Sequence, residues 1–555
     1  MSGVSVDDFL YKRTPDSMRG KNAEIPSKRS KVDGIDVGVK SLSRSSVDDA
    51  SLPGDEDEFE ALDERAVKKT VLHLEKMTLK NQEMRIKFAG EPMKFMESEV
   101  ELDVAIQEMH ALATAPHHYP LLVECKAVET LIQLLLHENT DISAAVLNLL
   151  QASLIALVPR ELTYVDTLNE SVAGANKLID ALIQNQFVQV MVNNLDRLDE
   201  TIKDEADAVH NAFAVFENIL EIRPEIADLL VKNGLVTWIL NRLKAKIPFD
   251  GNRLFCSEIL AVLLQTSVSA REVVHDGNGI DILLQQMAMY KRTDPSSADE
   301  MEYMENIFDC VCAALMYIPN KTKFLEAEGL HLINLMLKES KQSREGALKV
   351  LDYVMTGPKS REQCVQYVEI FGLRTLFPLF MRPPVKSVRK NHSIKDHEEH
   401  VCSIIASLFK NCQTEQRLRL FKKFDENDHE KLERLIELHF KYTSLTGKHD
   451  SASGLDAPAN EAEEEERYLE RLANGLFTLQ LVDYILAELL VHGPMSVRKR
   501  TRKIFSMRRA GFESVHKVLL EYANSLGEVE EGSPPNGTKE YVINLAASLR
   551  QVVTS

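Results

Sequence analysis

The chain has 555 residues, 44% hydrophobic and 27% charged, which is enough apolar content for a large core and too regularly interrupted by charge for a bilayer-embedded protein. Its 66 basic side chains face 85 acidic ones, a formal net charge of −19, which disfavours direct nucleic-acid binding and favours basic protein segments wherever the acidity is concentrated on an accessible surface. Seven scattered cysteines, mostly in apolar settings such as LFCSEIL and HVCSIIA, predict reduced, buried thiols and no disulfide framework.

The N-terminal segment MSGVSVDDFLYKRTPDSMRGK lacks the apolar core of a secretory signal, and no apolar run approaches the length a bilayer span requires. An intracellular protein is expected. Residues 1–60 are rich in Ser, Lys, Asp and Gly with little periodic apolar content, so they are predicted to form a disordered, charged tail. Two basic clusters, Lys12-Arg13 and Lys28-Arg29-Ser30-Lys31, precede a sign change at Asp55-Glu56-Asp57-Glu58. Lys12, Arg13, Lys28, Arg29 and Lys31 are the candidate residues of a bipartite nuclear-localisation signal, weighed against the chance clustering of charge in any solvated tail.

Residues 61–115 predict an N-terminal helical cap, from VKKTVLHLEKMTLKNQEMRIKF and MESEVELDVAIQEMHALA, with apolar residues three and four apart. Over 116–445 a unit recurs in which a small residue and an apolar one open a strongly apolar helix. Examples are Ala127-Val128 in KAVETLIQLLL, Gly234-Leu235 in NGLVTWILNRL, Gly279-Ile280 in NGIDILLQQM, Gly329-Leu330 in EGLHLINLMLK and Gly372-Leu373 in FGLRTLFPLF. With the weaker Gln186-Phe187, the nodes at 127, 186, 234, 279, 329 and 372 are spaced 59, 48, 45, 50 and 43 residues. That period predicts an all-α, armadillo- or HEAT-type right-handed superhelical solenoid whose last helices line a concave groove. The junction glycines are expected to supply positive φ and close backbone approach, and Leu283 and Leu335 are expected in the core.

Pro383-Pro384 and the basic stretch Val385 to Lys390 predict an exposed loop inside the array. Residues 446–466, with TGKHDSASGLDAPAN followed by Glu463 to Glu466, read as an acidic linker ahead of a C-terminal helical module at 467–555.

No catalytic constellation stands out. His397-Glu398-Glu399-His400 sets its histidines three apart where the zinc-protease pattern needs four, so a solvated first turn of a helix is the simpler expectation, with a metalloenzyme as the rival from another class. Cys310 and Cys312 lack CxxC spacing, and Gly277-Asn278-Gly279 lacks both the third glycine and the preceding strand of a nucleotide loop. No catalytic residue, metal ligand or cofactor is assigned. Trp238 and Asn241, one turn apart, are candidates to clamp a peptide from a groove-lining helix, against ordinary packing of Trp238 in VTWIL. The acidic run from Asp196 to Glu225 adds Asp199, Glu200, Asp204, Glu205 and Asp207 as a candidate basic-peptide surface, against a solvated helix face. Near the C-terminus Arg498-Lys499-Arg500, Arg502-Lys503 and Arg508-Arg509 form an opposite cluster, fit for phosphates, an acidic partner or the chain's own acidic surfaces.

Long strings, KNQEMRIKF, KFMESEVELD, IQEMH, NLDRLDETIKDEADAVHNAFAVFENI, RLKAKIPFD, EILAVLLQ, GLRTLFPLFM, HEEHVCSI and LIELHFKY, are similar to the beta-catenin-like protein 1 family over about residues 60–525. The resemblance implies a nuclear armadillo-repeat scaffold that accompanies the spliceosomal NineTeen complex and binds basic nuclear-localisation-type segments of splicing factors, including a Myb-like component. An importin-like carrier of basic cargo is the alternative reading. The chain departs from the family pattern in an extra segment, Ala152 to Arg160, ending near the helix-breaking Pro159. Oligomeric state is left open.

Overall fold

The computed structural model describes residues 63–113, 115–155, 165–245, 247–357, 359–383, 393–452, 461–527 and 534–554. The basic clusters of the tail, the Pro159 end of the extra segment and the stretch from Pro384 to Lys390 lie outside the described residues. All regular structure among the described residues is helical. The chain divides into two compact units, one up to Asn218 and one from Ile219 onward.

In the first unit α1 (Glu64–Lys87) and α2 (Pro92–Glu108) pack along each other. Asp63 starts α1 by accepting a hydrogen bond from the Ala66 amide at 2.7 Å, which satisfies one of the unpaired donors of the first turn. Val67, Val71 and Leu74 meet the interior together with Leu102, Ala105 and Ile106, and Asn81 Nδ2 donates to Ser98 Oγ at 3.0 Å. After α3 (His110–Ala113) come α4 (Tyr119–Glu124), α5 (Ala127–Leu135) and α6 (Thr140–Ile155), then α7 (Val165–Gln184), α8 (Phe187–Leu195) and α9 (Lys203–Ile222). Helices α2 and α3 both pack on α6, so the N-terminal hairpin covers the first repeat. Ala152 to Ile155, the start of the extra segment, form the last turn of α6.

The second unit is built of three-helix repeats. They are α10 (Ala227–Lys232), α11 (Leu235–Lys244), α12 (Gly251–Thr266); α13 (Val268–Asp276), α14 (Gly279–Ala288), α15 (Ala298–Ala314); α16 (Ile318–Glu326), α17 (Gly329–Lys338), α18 (Ser343–Met355); and α19 (Arg361–Glu369), α20 (Leu373–Met381), α21 (Ile394–Asn411). The third helices begin at polar caps: Asp250 accepts from the Arg253 amide, Ser297 from Glu300 and Ser393 from Asp396. Third helices α12, α15, α18 and α21 pack on one another in series, and the apolar first and second helices close the core behind them.

The junction between first and second helices repeats in backbone conformation more strictly than in sequence. Lys126, Gln186, Gly234, Asn278, Glu328 and Phe371 all have φ between 55° and 93°. The expectation that the small residue at each node supplies the positive φ therefore holds at Gly234 alone among those glycines. At Gly279, Gly329 and Gly372 the left-handed residue is the one before, and the glycine is needed for space. A Cβ on Gly329 would lie 2.5 Å from the Phe324 ring, and one on Gly372 would lie 2.4 Å from the Tyr367 ring. Leu283 is fully buried, whereas Leu335 is only half-buried. Ile333, Met336 and Leu337 fill the core from that helix instead.

The three-helix pattern continues beyond residue 445. Helix α22 (Thr414–Asp425) leads through left-handed Asn427, Asp428 and His429 into α23 (Glu430–Ala452). Then α24 (Glu461–Arg471) runs through a wide turn at Leu472–Leu476 into α25 (Phe477–His492). Helix α25 packs on α21 as the next third helix. The predicted linker is thus helical on both sides of 453–460, and the residues after it share a compact unit with those before it. The span Glu465–His492 is long and apolar enough to cross a membrane, contrary to the sequence expectation, and 89% of its most apolar window is buried inside the fold. Its covers are α23, α26 (Met495–Met507), α27 (Glu513–Ser525) and α28 (Lys539–Thr554). Ahead of α28, Asn536 closes the end of α21, its amide donating to the Lys410 carbonyl and its Nδ2 to the Phe409 carbonyl, each at 3.2 Å.

Candidate functional site

The third helices of the second unit carry a polar seam. On α15, Glu302, Glu305 and Asp309 are three and four residues apart and share one face, with Glu302 exposed and Glu305 half-buried. Asn306 beside them donates to Ser257 on α12 at 3.3 Å, and Asp309 takes a 3.0 Å hydrogen bond from Lys349 on α18, both side chains 10% exposed. On α18, Glu345 accepts from His397 Nδ1 at 2.8 Å and Asp352 from His400 Nδ1 at 2.9 Å. Glu399 of α21 accepts from Thr478 of α25 at 3.2 Å. Half-buried Phe255 and Glu258 extend the outward stripe onto α12, and half-buried Tyr353 lies beside Asp352. Acidic residues outnumber basic ones along this face, and aromatic rings flank it. Such a surface suits a basic, extended segment whose cationic heads meet carboxylates while their stems lie on rings.

The candidates from the acidic run fall in the first unit. Asp199 accepts from both the amide and the hydroxyl of Thr201, which holds its carboxyl below the usual range. Glu205 accepts from the Asp199 amide at 2.6 Å and from Thr140 Oγ1 at 3.0 Å. These two carboxylates organise the turn into α9. Asp204 and Asp207 are exposed and Glu200 is half-buried. Trp238 and Asn241 belong to the second unit and sit on α11, the middle helix of its repeat, where Trp238 is half-buried and Asn241 exposed. The expectation put them on a groove-lining last helix of the repeat, whereas they lie on its second. The acids of α15 were overlooked because they alternate with Met301, Tyr303, Met304 and Ile307, which read as core filling. Their three-and-four spacing was the available signal.

The His397 segment is not a solvated first turn. His397 and Glu398 are buried. His397 Nε2 lies 3.1 Å from the Leu379 carbonyl, while Glu398 accepts from Arg434 and Tyr442, each at 2.8 Å, and from Lys441. The two histidines thus reach different carboxylates and tie α21 to its neighbours. Burial pushes the thiols of Cys310, Cys364 and Cys402 well up and that of Cys412 up to about 12, which keeps them protonated and weak as nucleophiles. Gly277-Asn278-Gly279 is the turn between α13 and α14.

The C-terminal basic cluster is partly consumed within the fold. Arg498 donates to the carbonyls of Gly493 and Val491, Arg500 pairs with Glu433, and Arg502 reaches the Val552 carbonyl. Lys499, Lys503 and Arg509 are exposed.

Stacked three-helix repeats, each turning at a left-handed residue and presenting a polar third-helix face, define an armadillo-repeat protein. More narrowly, the chain belongs to the family described as catenin-beta-like, Arm-motif containing nuclear, matched over residues 46–520. It is 50% identical over 476 residues to beta-catenin-like protein 1 of Homo sapiens, covering 84% of this chain and 83% of that one. It is 33% identical over 483 residues to the beta-catenin-like protein 1 homolog of Schizosaccharomyces pombe, covering 85% and 82%. A solved chain from a SYS-1/POP-1 complex covers 90% of this one, and is covered to 94%, at 10% identity with a TM-score of 0.46. Membership in this family makes the chain a nuclear protein.

Proposed function

We propose that this chain is a non-catalytic scaffold of pre-mRNA splicing, a component or associate of the spliceosomal NineTeen complex, which holds basic nuclear-localisation-type segments of splicing factors, a Myb-like factor among them. The observation that carries the binding chemistry is the acidic, ring-flanked face of α12, α15, α18 and α21, with Glu302 and Glu305 outermost on α15. The splicing assignment rests on the long strings that resemble the beta-catenin-like protein 1 family. Asp204 and Asp207 in the first unit, and Trp238 with Asn241 in the second, are further places where such segments engage. Because the outer carboxylates face water, affinity for any one segment is weak and falls as salt rises.

The test is purification of the tagged protein from nuclear extract after nuclease treatment, with mass spectrometry of the bound proteins, alongside the double variant Glu302→Lys/Glu305→Lys. Recovery of NineTeen-complex and other splicing proteins by the parent, and their loss from the variant, is the expected result. Recovery of pore proteins and mixed cargo without splicing factors would replace this reading with that of an import carrier.

A further inference from the structure

We propose that the outer edge formed by α22 and α26 is a docking surface for an acidic, amphipathic helix of a partner protein, about three turns long, with apolar side chains at its two ends and carboxylates between them. Both helices belong to the second compact unit, and the surface is distinct from the third-helix face.

From Met495 to Gly511 the chain carries seven basic residues and no acidic one, in a protein of net charge −19. Folding uses only part of that charge. Arg498 and Arg502 donate to backbone carbonyls, and Arg500 pairs with Glu433. Lys499 and Lys503 are exposed, and neither meets an acidic side chain among the described residues. Apolar residues bracket them. Met495, Lys499, Lys503 and Met507 follow one another at intervals of four, which sets them in one row along α26, and the two methionines at its ends are 61% and 74% exposed. The row is about 18 Å long.

Helix α22 packs on α26 and adds a second row. Leu418, 66% exposed, and Lys422 are one turn apart, and Lys422 is likewise exposed without an acidic partner among the described residues. Asp425, on the same face of α22, accepts from Ser496 Oγ, so the Leu418–Lys422 row leads to the start of α26. The acids of α22 are engaged within the fold, Glu415 with Arg419 at 2.8 Å and Asp425 with Ser496. They leave the charge of the three lysines unmatched.

The lysines call for an anionic partner, and the apolar residues make that partner a protein. Three large apolar side chains, each more than half exposed, flank the cations, and covering them is favourable only against another apolar surface. A nucleic-acid strand would bring phosphates to the lysines, but its bases stack on aromatic rings, and none of the three is aromatic. A helix suits the row, because carboxylates three and four apart on one of its faces fall opposite lysines four apart. The exposed charges then set the choice of partner and the rate of encounter, while the apolar ends supply the part of the affinity that salt does not screen.

The test uses the full-length protein and the anisotropy of a fluorescein-labelled synthetic helix with two leucines at each end and glutamates between them. Lys422→Glu, Lys499→Glu and Lys503→Glu together are expected to weaken its binding at least about tenfold. Leu418→Ser, Met495→Ser and Met507→Ser together are expected to weaken it about three- to tenfold. Circular dichroism should be unchanged in both variants because all six side chains are exposed. The same peptide with serine in place of leucine is expected to bind the parent more weakly. Equal binding of the two peptides, with displacement of both by a single-stranded oligouridylate, would replace the proposal with a phosphate-binding edge. Unchanged binding by the lysine variant would overturn it outright.

Discussion

Lys349 and Asp309 meet on adjacent third helices with 10% of each side chain exposed, so their ion pair is largely shielded from water. Lys349→Met alone removes one member of this buried ion pair and should cost about 3–5 kcal/mol, whereas Lys349→Met with Asp309→Leu should be close to neutral. Chemical denaturation of the two variants reads the difference, and equal losses would show that the pair is not coupled. His137 offers a pH-dependent counterpart in the first unit. Its Nε2 donates to Asn81 Oδ1 at 3.0 Å, and burial, opposed by the nearby Asn139 carbonyl, holds its pKa below the ordinary 6.5. The unfolded chain therefore takes up this proton first on acidification. The stabilising contribution is complete above about 6.5 and is lost as pH falls through the lower folded value. Hydrogen exchange at α1 and α5, corrected for intrinsic rates, should show protection falling between pH 7 and pH 5, with a smaller fall in His137→Gln.

Within each repeat, glycine has two separate duties. Gly329→Ala and Gly372→Ala force a ring aside and should cost about 1–3 kcal/mol each as overpacking. Gly234→Ala meets no atom within 4 Å, so its cost is the left-handed backbone alone, about 1 kcal/mol. Thermal melts of the three variants separate the causes. Leu283→Ala should cost about 2–5 kcal/mol as a core cavity, and half-buried Leu335→Ala clearly less; a reversal of that order would contradict the packing of α14 and α17. The helices and their period were legible because apolar spacing is local information. The left-handed positions were not. Lys126, Gln186, Glu328 and Phe371 carry none of the usual preference for positive φ, and it is the packing of the two flanking helices that imposes it. The acidic seam was hidden for a related reason: whether Asp309 meets Lys349, or Glu345 meets His397, depends on the register of helices some forty to fifty residues apart.

Over the whole molecule, the sequence supplied the repeat architecture but misplaced its end. Low apolar content around residue 450 reads as a break, yet α23 continues to Ala452 and α25 takes the next third-helix position. Helix α25 is buried nearly all round, which explains an apolarity that resembles a membrane span. Glu488 within it is held by Arg417, Tyr484 and Tyr541, so residues from three helices converge on one buried carboxylate. Among these only the Tyr484–Glu488 spacing is local enough to read from sequence.

That closure has a consequence for how the protein is made. Most contacts in a repeat fold are between neighbours and form as the chain emerges from the ribosome, N-terminal repeats first. Helix α25 is different, because α28, which packs on it, is translated well after it. Until α28 is made, this strongly apolar helix stands with part of its surface uncovered, a sticky intermediate on an otherwise local folding route. Nascent chains arrested before Lys539 are accordingly the ones that need a chaperone.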